Sequence, residues 1–297
     1  MKIMYFIFFL IVYMMKVPRR KMRMIDLHIH SKFSDGDFTI PELIRILKDK
    51  KVELFSITDH DSLESIQTLE KVPTISYIPG VEMSCVLNHT KMHILGYGVS
   101  YDSSLGNTCK EIQKTRKDLT FEILEDLFKR GYTFSEEDIR KLQQNDTSCM
   151  GKVELSKVLV RNGYASSVRE AFHEILGEYK IGNKIRRDAR QIISEIKAAN
   201  GIAMLAHPFE IVRKQNVVID PIIDELLSYG LDGVEVFTTK HNAEEERYIY
   251  ELCQARKILM SGGSDYHGPL TTPNIFIGDA VKEERISERV KQKRIQH

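Results

Sequence analysis

The chain has 297 residues, 42% of them hydrophobic and 29% charged, with a formal net charge of +1. Length and composition fit a soluble α/β protein of one large domain or two smaller ones, and exclude a disordered or fibrous chain. The near-zero charge excludes a global field that would draw in nucleic acid or anionic lipid; Cys85, Cys109, Cys149 and Cys253, far apart and with no Cys-x-x-Cys, exclude a zinc ribbon and a disulfide framework and point to a reducing, cytoplasmic setting.

Ile3 to Met15 is an almost unbroken apolar run, followed by Lys16, Arg19, Arg20, Lys21 and Arg23. It is shorter than the about 20 residues a membrane span needs, and no small-residue cleavage site follows it. Residues 1–23 are therefore an extension outside the fold. Three readings are open: a weak anchor whose basic cluster holds the protein on the cytoplasmic side, a loose apolar tail, or translation begun too early, with Met22 or Met24 the true start. The early start is preferred because strand-like sequence begins abruptly at Met24. Membrane contact is expected only if residues 1–23 are native.

From Met24 strand and helix alternate. Met24 to His28 predicts a buried strand that leads into His30, and strand geometry turns His28 and His30 to the same face. Asp35 follows in a Gly-containing turn. Thr39-Ile40-Pro41-Glu42 is a capping-box start, with Pro near the first helical position, for a helix through about Lys50. Glu53 to Thr58 is the next strand and ends in Asp59-His60-Asp61-Ser62. A short helix over Leu63 to Glu70 precedes a strand over Ser76 to Ser84 that contains Glu82, and Lys91 to Gly98 is a fourth strand containing His93.

The rhythm then changes. Ser103 to Gly131 is helical, with Ile112, Leu119, Ile123, Leu124, Leu127 and Phe128 forming one stripe. Shorter helices follow near Ser135, over Val153 to Val160 and over Val168 to Leu176. No convincing strand interrupts them, so residues 101–187 are expected to be a helical insertion that caps the site, dividing a first barrel part, 24–100, from a second, 188–297.

Alternation then resumes. Asp188 caps a helix carrying Ile192, Ile193 and Ile196, and Gly201 to Ala206 is a strand ending at His207. Helices over Ile219 to Ser228 and Asn242 to Arg256 flank a strand over Gly233 to Phe237, which contains Glu235. A last strand, Lys257 to Ser261, leads into Gly262-Gly263-Ser264-Asp265-Tyr266-His267. The tail after Val281 is highly charged and predicts a solvated helix. About seven strands interleaved with helices favour a parallel α/β barrel over an open sheet.

Functional groups of such barrels collect at the carboxyl ends of the strands. His28, His30, Asp35, His60, Glu82, His93, His207, Asp265 and His267 all fall there. Nine nitrogen and oxygen donors without cysteine suit two or three borderline divalent ions such as Mn, Fe or Zn. A carboxylate-bridged pair of such ions would hold a hydroxide as nucleophile without a protein side chain. Asp26, Asp59 and Asp61 are candidates for orienting the imidazoles, with a solvated loop role equally open for Asp61. His241 follows the strand of Glu235 and is placed to line the cleft, whereas His89, His173 and His297 read as solvated. Lys152, Arg186, Arg187 and Lys240 are candidates for an anionic group of the substrate.

Together the segments Asp26-Leu27-His28-Ile29-His30-Ser31, Ser34-Asp35-Gly36, Ile57-Thr58-Asp59-His60, Pro79-Gly80-Val81-Glu82, His93-Ile94-Leu95-Gly96-Tyr97, Ala206-His207-Pro208 and Gly263-Ser264-Asp265-Tyr266-His267 resemble the PHP superfamily of metal-dependent phosphoesterases, named for polymerase and histidinol phosphatase. With its helical insertion the chain is similar to the branch of nucleoside 3',5'-bisphosphate phosphatases and 5'-3' exoribonucleases. The resemblance implies a distorted, TIM-like (β/α)7 barrel and three divalent ions, with Mn2+ expected first and Fe2+ or Zn2+ as alternatives. It implies His28, His30, Glu82 and Asp265 on one ion, Glu82, His93 and His207 on a second, and Asp35, His60 and His267 on a third. A bridging hydroxide would then lie among Glu82, His93, His207 and Asp265.

One departure bears on specificity. That branch usually has Arg-Pro-His at the start of an insertion helix, gripping phosphate; here the stretch is Lys152-Val153-Glu154, a point charge followed by a carboxylate that would repel phosphate if it faced the site. The expected partner is a phosphorylated small molecule, nucleotide or short oligonucleotide rather than duplex nucleic acid. A small-metabolite phosphatase, acting for example on histidinol phosphate, and a non-catalytic metal-binding module remain open alternatives.

Overall fold

Strand β1 (Met24–Ile29) opens the described part of the chain, which in this computed structural model comprises residues 24–72, 76–144, 150–180, 182–279 and 285–296. The extension 1–23, Cys149 and His297 lie outside the described residues. Beyond Met24, β1 is buried on both faces, Ile25, Leu27 and Ile29 alternating with Asp26 and His28. Helix α1 (Ile40–Asp49) starts as the sequence predicts: Thr39 and Glu42 form a capping box with Pro41 in the first turn. Strand β2 (Val52–Ile57) lies parallel to β1, and the short helix α2 (Glu64–Leu69) follows.

The single strand expected over Ser76 to Ser84 is two strands in two different sheets, β3 (Ser76–Tyr77) and β4 (Gly80–Leu87). Pro79 lies between them, with no N–H to offer a ladder. The expected parallel arrangement also fails at β5 (Thr90–Tyr97), which is antiparallel to β4. Asn88 and His89 both take positive φ, 46° and 69°, and form a two-residue hairpin turn too short for a parallel crossover.

Helices α3 (Ser104–Lys129), α4 (Glu136–Gln144), α5 (Lys152–Arg161), α6 (Val168–Glu170) and α7 (Gly182–Ile185) follow, α6 continuing into a π turn over Ala171–Ile175. Ile123, Leu127, Leu155 and Leu159 belong to a core of their own, apart from the one beneath the strands. A two-residue strand, β6 (Arg187–Asp188), pairs with β4, and Asp188 accepts hydrogen bonds from the amides of Arg190 and Gln191 to cap α8 (Ala189–Ala198). The remaining elements are β7 (Ile202–Leu205), α9 (Pro208–Gln215), α10 (Ile219–Ser228), β8 (Gly233–Thr238), α11 (Ala243–Arg256), β9 (Leu259–Gly263), α12 (Glu288–Lys291) and β10 (Ile295–Gln296).

The tail is not a solvated helix. Ile286 and Val290 are buried in the main core, and β10 pairs antiparallel with β3. The two apolar residues, four apart, share a helical face that the surrounding charge obscures.

The strands form two sheets, in the orders β1-β2-β3-β10 and β6-β4-β5-β7-β8-β9. The sheets touch at two seams through isolated parallel bridges, Ile29 with Tyr266 and His60 with Glu82. The fold is therefore α/β, and the seams draw the ends of β1 and β2 against β4 and the end of β9. Among the described residues no helix is long and apolar enough to cross a membrane.

Candidate metal centre

Alternation along β1 sends His28 and His30 to one side, where neither side chain is solvent-exposed. Their Nε2 atoms each lie 3.2 Å from Glu82 Oε2, on β4 across the seam. Asp265, just past β9, brings Oδ1 to 3.4 Å from His28 Nε2 and 3.2 Å from His30 Nε2. His60 Nδ1, His93 Nδ1 and His207 Nε2 stand 3.0, 3.1 and 2.9 Å from the same Glu82 carboxylate. On the outer side His267 Nε2 is 3.3 Å and His60 Nε2 3.9 Å from Asp35.

All nine residues thus converge. Their donor atoms fall into three groups: His28, His30, Glu82 and Asp265; His60, Glu82 and His93; and His30, Asp35, His60 and His267, each with all atoms within 4.8 Å of one another. The first matches the set implied by the resemblance. In the second His60 joins Glu82 and His93, while His207 lies against the same carboxylate. In the third His30 is added.

The donors fit divalent cations. His28 Nε2, His30 Nε2, His93 Nδ1 and Glu82 Oε2 are buried and have no hydrogen-bond partner among the described residues, and all are of the nitrogen and oxygen type that borderline ions take. Burial alone would raise the Glu82 carboxyl, but His60, His28 and His93 hold it well below its usual range. Asp265 is likewise held down against burial by Lys240 and His267. Burial would lower the imidazoles of His28 and His30, yet the surrounding carboxylates raise both, His30 to about 10. His60 is pushed down to about 3 by burial, in spite of Glu82 and Asp35, and so presents a neutral ring. Ionised carboxylates packed this closely call for cations between them.

The backbone is strained where these groups are presented. His207 has φ 27° and Asp265 φ 56°, and Asp61, next to His60, has φ 51°. Asp26 accepts from the amides of Ser264, Gly278 and His28 at 2.8, 2.8 and 3.3 Å, and burial pushes its carboxyl up to about 6. Asp59 accepts from Ser31 N, Ser31 Oγ and Ser34 Oγ at 2.7, 2.7 and 2.6 Å. Neither meets an imidazole directly, though Asp59 is linked to His30 through Ser34 Oγ, which lies 3.4 Å from His30 Nδ1. Asp61 is buried, receives Ser84 N at 2.7 Å and pairs with Arg116, so it is not a solvated loop residue. The group that does orient imidazole is Glu235, which sequence reasoning left unassigned: it meets His28 Nδ1 at 2.9 Å and accepts His207 N at 2.9 Å. Its signal was a carboxylate inside an apolar strand, costly unless partnered.

Beside the centre lies a cavity of about 410 Å³, lined by Asp35, His60 and His93 together with Lys91, Arg116, Lys152, Glu154, Lys180 and Arg186. Phe172, His173 and Tyr179 complete it. Lys152 sits over the Phe172 ring at 4.4 Å, and burial lowers its ammonium. Of the expected phosphate contacts, Lys152 and Arg186 reach this cavity. Arg187 instead faces Glu111 at 3.6 Å. His241 is not among the residues that line it: its Nδ1 donates to the Val236 carbonyl at 2.9 Å and its Nε2 accepts the Phe209 amide at 3.4 Å. Lys240 meets the centre itself, 3.0 Å from Asp265 Oδ2.

The PHP domain model matches residues 26–201. A phosphoribosyl 1,2-cyclic phosphate 1,2-diphosphodiesterase of Eggerthella lenta is 28% identical over 254 residues, 82% of this chain and 94% of that protein. A 5'-3' exoribonuclease of Escherichia coli is 26% identical over 82% of this chain and 85% of its own length. A 3',5'-nucleoside bisphosphate phosphatase of Chromobacterium violaceum is 25% identical over 82% and 87%. Among solved structures, an amidohydrolase of Chromobacterium violaceum with bound sulfate superposes with a TM-score of 0.76 at 21% identity, covering 92% of this chain and 97% of that one.

Proposed function

The chain belongs to the PHP domain family and is a metal-dependent phosphoesterase, a hydrolase of phosphoric esters, and from that premise we propose that it acts on nucleotides or short oligonucleotides that bear a second phosphate. The observation that supports this best is the cavity: Lys152 and Arg186 line it together with Asp35, His60 and His93, so it offers donor residues for one phosphate and basic side chains for a second. The named activities of the three relatives, on a cyclic phosphate, an RNA end and a bisphosphate, accord with that arrangement.

In this proposal the donor cluster takes three divalent ions, Mn2+ first, with Fe2+ or Zn2+ as alternatives. When bound, such ions polarise the phosphoryl oxygens and lower the pKa of water toward neutrality, supplying a nucleophile without a protein side chain. The chain's own residues do the rest. Glu82 sets the spacing of the cluster, Glu235 fixes the ring of His28, and Glu210 places a carboxylate 3.3 Å from His207 Nδ1. The bridged sheets are proposed to be the distorted seven-stranded (β/α) barrel, with 24–100 and 188–297 as its two parts and 101–187 as the cap. A cytoplasmic setting is proposed on the free, buried thiols of Cys85 and Cys253.

A second reading has one observation in its favour. Glu154 lines the cavity, and a carboxylate there would attract an amine such as that of histidinol phosphate. Purified protein with Mn2+ should be assayed on adenosine 3',5'-bisphosphate, short 5'-phosphorylated RNA and histidinol phosphate. Preference for the first two supports the proposal; preference for histidinol phosphate replaces it with the second reading.

A further inference from the structure

The donor groups differ in what braces them. His28 and His207 are held from inside the strands by Glu235. Asp35 and His267 sit on two loops outside the sheets, and those loops are fastened to each other through Asp37. Its amide donates to the His267 carbonyl at 2.6 Å. Its carboxylate accepts from the amides of Leu270 and Thr271 at 2.7 and 3.2 Å and from Thr271 Oγ1 at 3.0 Å. The approach is close: at Gly268, with φ 105°, an added Cβ would lie 2.5 Å from that carboxylate.

The Asp37 side chain is only 4% exposed and needs a countercharge. Lys157 supplies it from the middle of α5, with Nζ 3.1 Å from Asp37 Oδ1. The same ammonium donates to the carbonyls of Asp35 at 3.0 Å and Gly36 at 3.3 Å, while Glu154 Oε2 on its own helix is farther off at 3.8 Å. One side chain of the helical segment thus ties down the loop of Asp35 and, through Asp37, the loop of His267. The first turn of the same helix presents Lys152 and Glu154 to the cavity.

We propose that Lys157 is a positioning residue for one cation position, the one made by His30, Asp35, His60 and His267, so that docking of the helical segment governs how tightly that position is held. This rests on the reading that the donor cluster binds divalent ions.

The test is stepwise Mn2+ titration, by calorimetry, of full-length wild type, Lys157→Met, Lys157→Arg, His267→Ala and Arg161→Met. The last variant removes a different tie, Arg161 to Asp138 at 2.8 Å within the helical segment, and controls for general destabilisation. Lys157→Met is expected to weaken by about tenfold the step that His267→Ala abolishes, as loss of a supporting contact to a ligand typically does. The other steps stay unchanged, Lys157→Arg recovers most of the loss, and Arg161→Met lowers Tm without altering any step. Identical titrations for Lys157→Met and wild type, or equal weakening of every step in Lys157→Met, overturn the proposal. A wild-type chain that takes up no Mn2+ overturns the metal reading itself, and the role of Lys157 with it.

Discussion

Glu235 meets His28 Nδ1 at 2.9 Å across 207 positions of sequence. The contact places the Nδ1 proton of His28 on a carboxylate and turns the Nε2 lone pair toward Glu82 and Asp265. Glu235→Ala should therefore reduce Mn2+ affinity by about 10- to 100-fold and lower kcat/KM at limiting metal. Metal titration with activity at saturating and limiting Mn2+ checks this, and unaltered affinity would remove Glu235 from the design.

Glu82 is the carboxylate that five histidines share, His28, His30, His60, His93 and His207. Glu82→Ala and His207→Ala should each abolish turnover and reduce bound metal, read by activity on the best substrate of the panel and by elemental analysis. Unchanged activity in either variant contradicts a shared-carboxylate centre.

Metal uptake should release protons. The carboxylates around His28 and His30 raise both imidazoles against burial, His30 to about 10, so both are protonated near neutrality, whereas a metal takes the neutral ring. Affinity for Mn2+ must then rise with pH up to about 10. Titrations at pH 6.5 and 8.5, in buffers of different ionisation enthalpy, should show tighter binding at the higher pH with proton release persisting at both; pH-independent affinity would mean that these rings are already neutral.

Gly263 ends β9 against β1, where an added Cβ would lie 2.3 Å from the His28 amide nitrogen and 2.4 Å from its Cβ. Gly263→Ala should cost at least about 2 kcal/mol, because the obstruction is backbone that cannot rotate away. A chemical-denaturation midpoint with metal present and absent would measure it.

Lys152 and Arg186 are basic side chains that line the cavity. Lys152→Met and Arg186→Met should each raise KM for adenosine 3',5'-bisphosphate about tenfold or more, the loss of one charged hydrogen bond, with kcat little changed. A substrate with a single phosphate should show no such effect. Equal losses on both substrates would place these residues at the reacting phosphate instead.

Local chemistry was legible from the residues alone. Capping signals at Thr39 and Asp188 start helices as expected, because such bonds close within three residues. Pro208 at the first position of α9 offered the same kind of signal and went unread. The break at Pro79, the Asn88–His89 hairpin and the burial of Val290 depended on which partners lay nearby, and local pattern does not state partners.

The sequence by itself determined which nine side chains converge, since only certain side chains ligate divalent ions and strand ends are where such folds expose them. Only the tertiary structure decided how they combine. Glu235 stands next to His28, Arg187 and His241 do not line the cavity, and Lys157 reaches from a helical segment to the loops of Asp35 and His267. Each of these depends on angles and distances between elements far apart in the chain, set by packing of the whole rather than by any local run of residues.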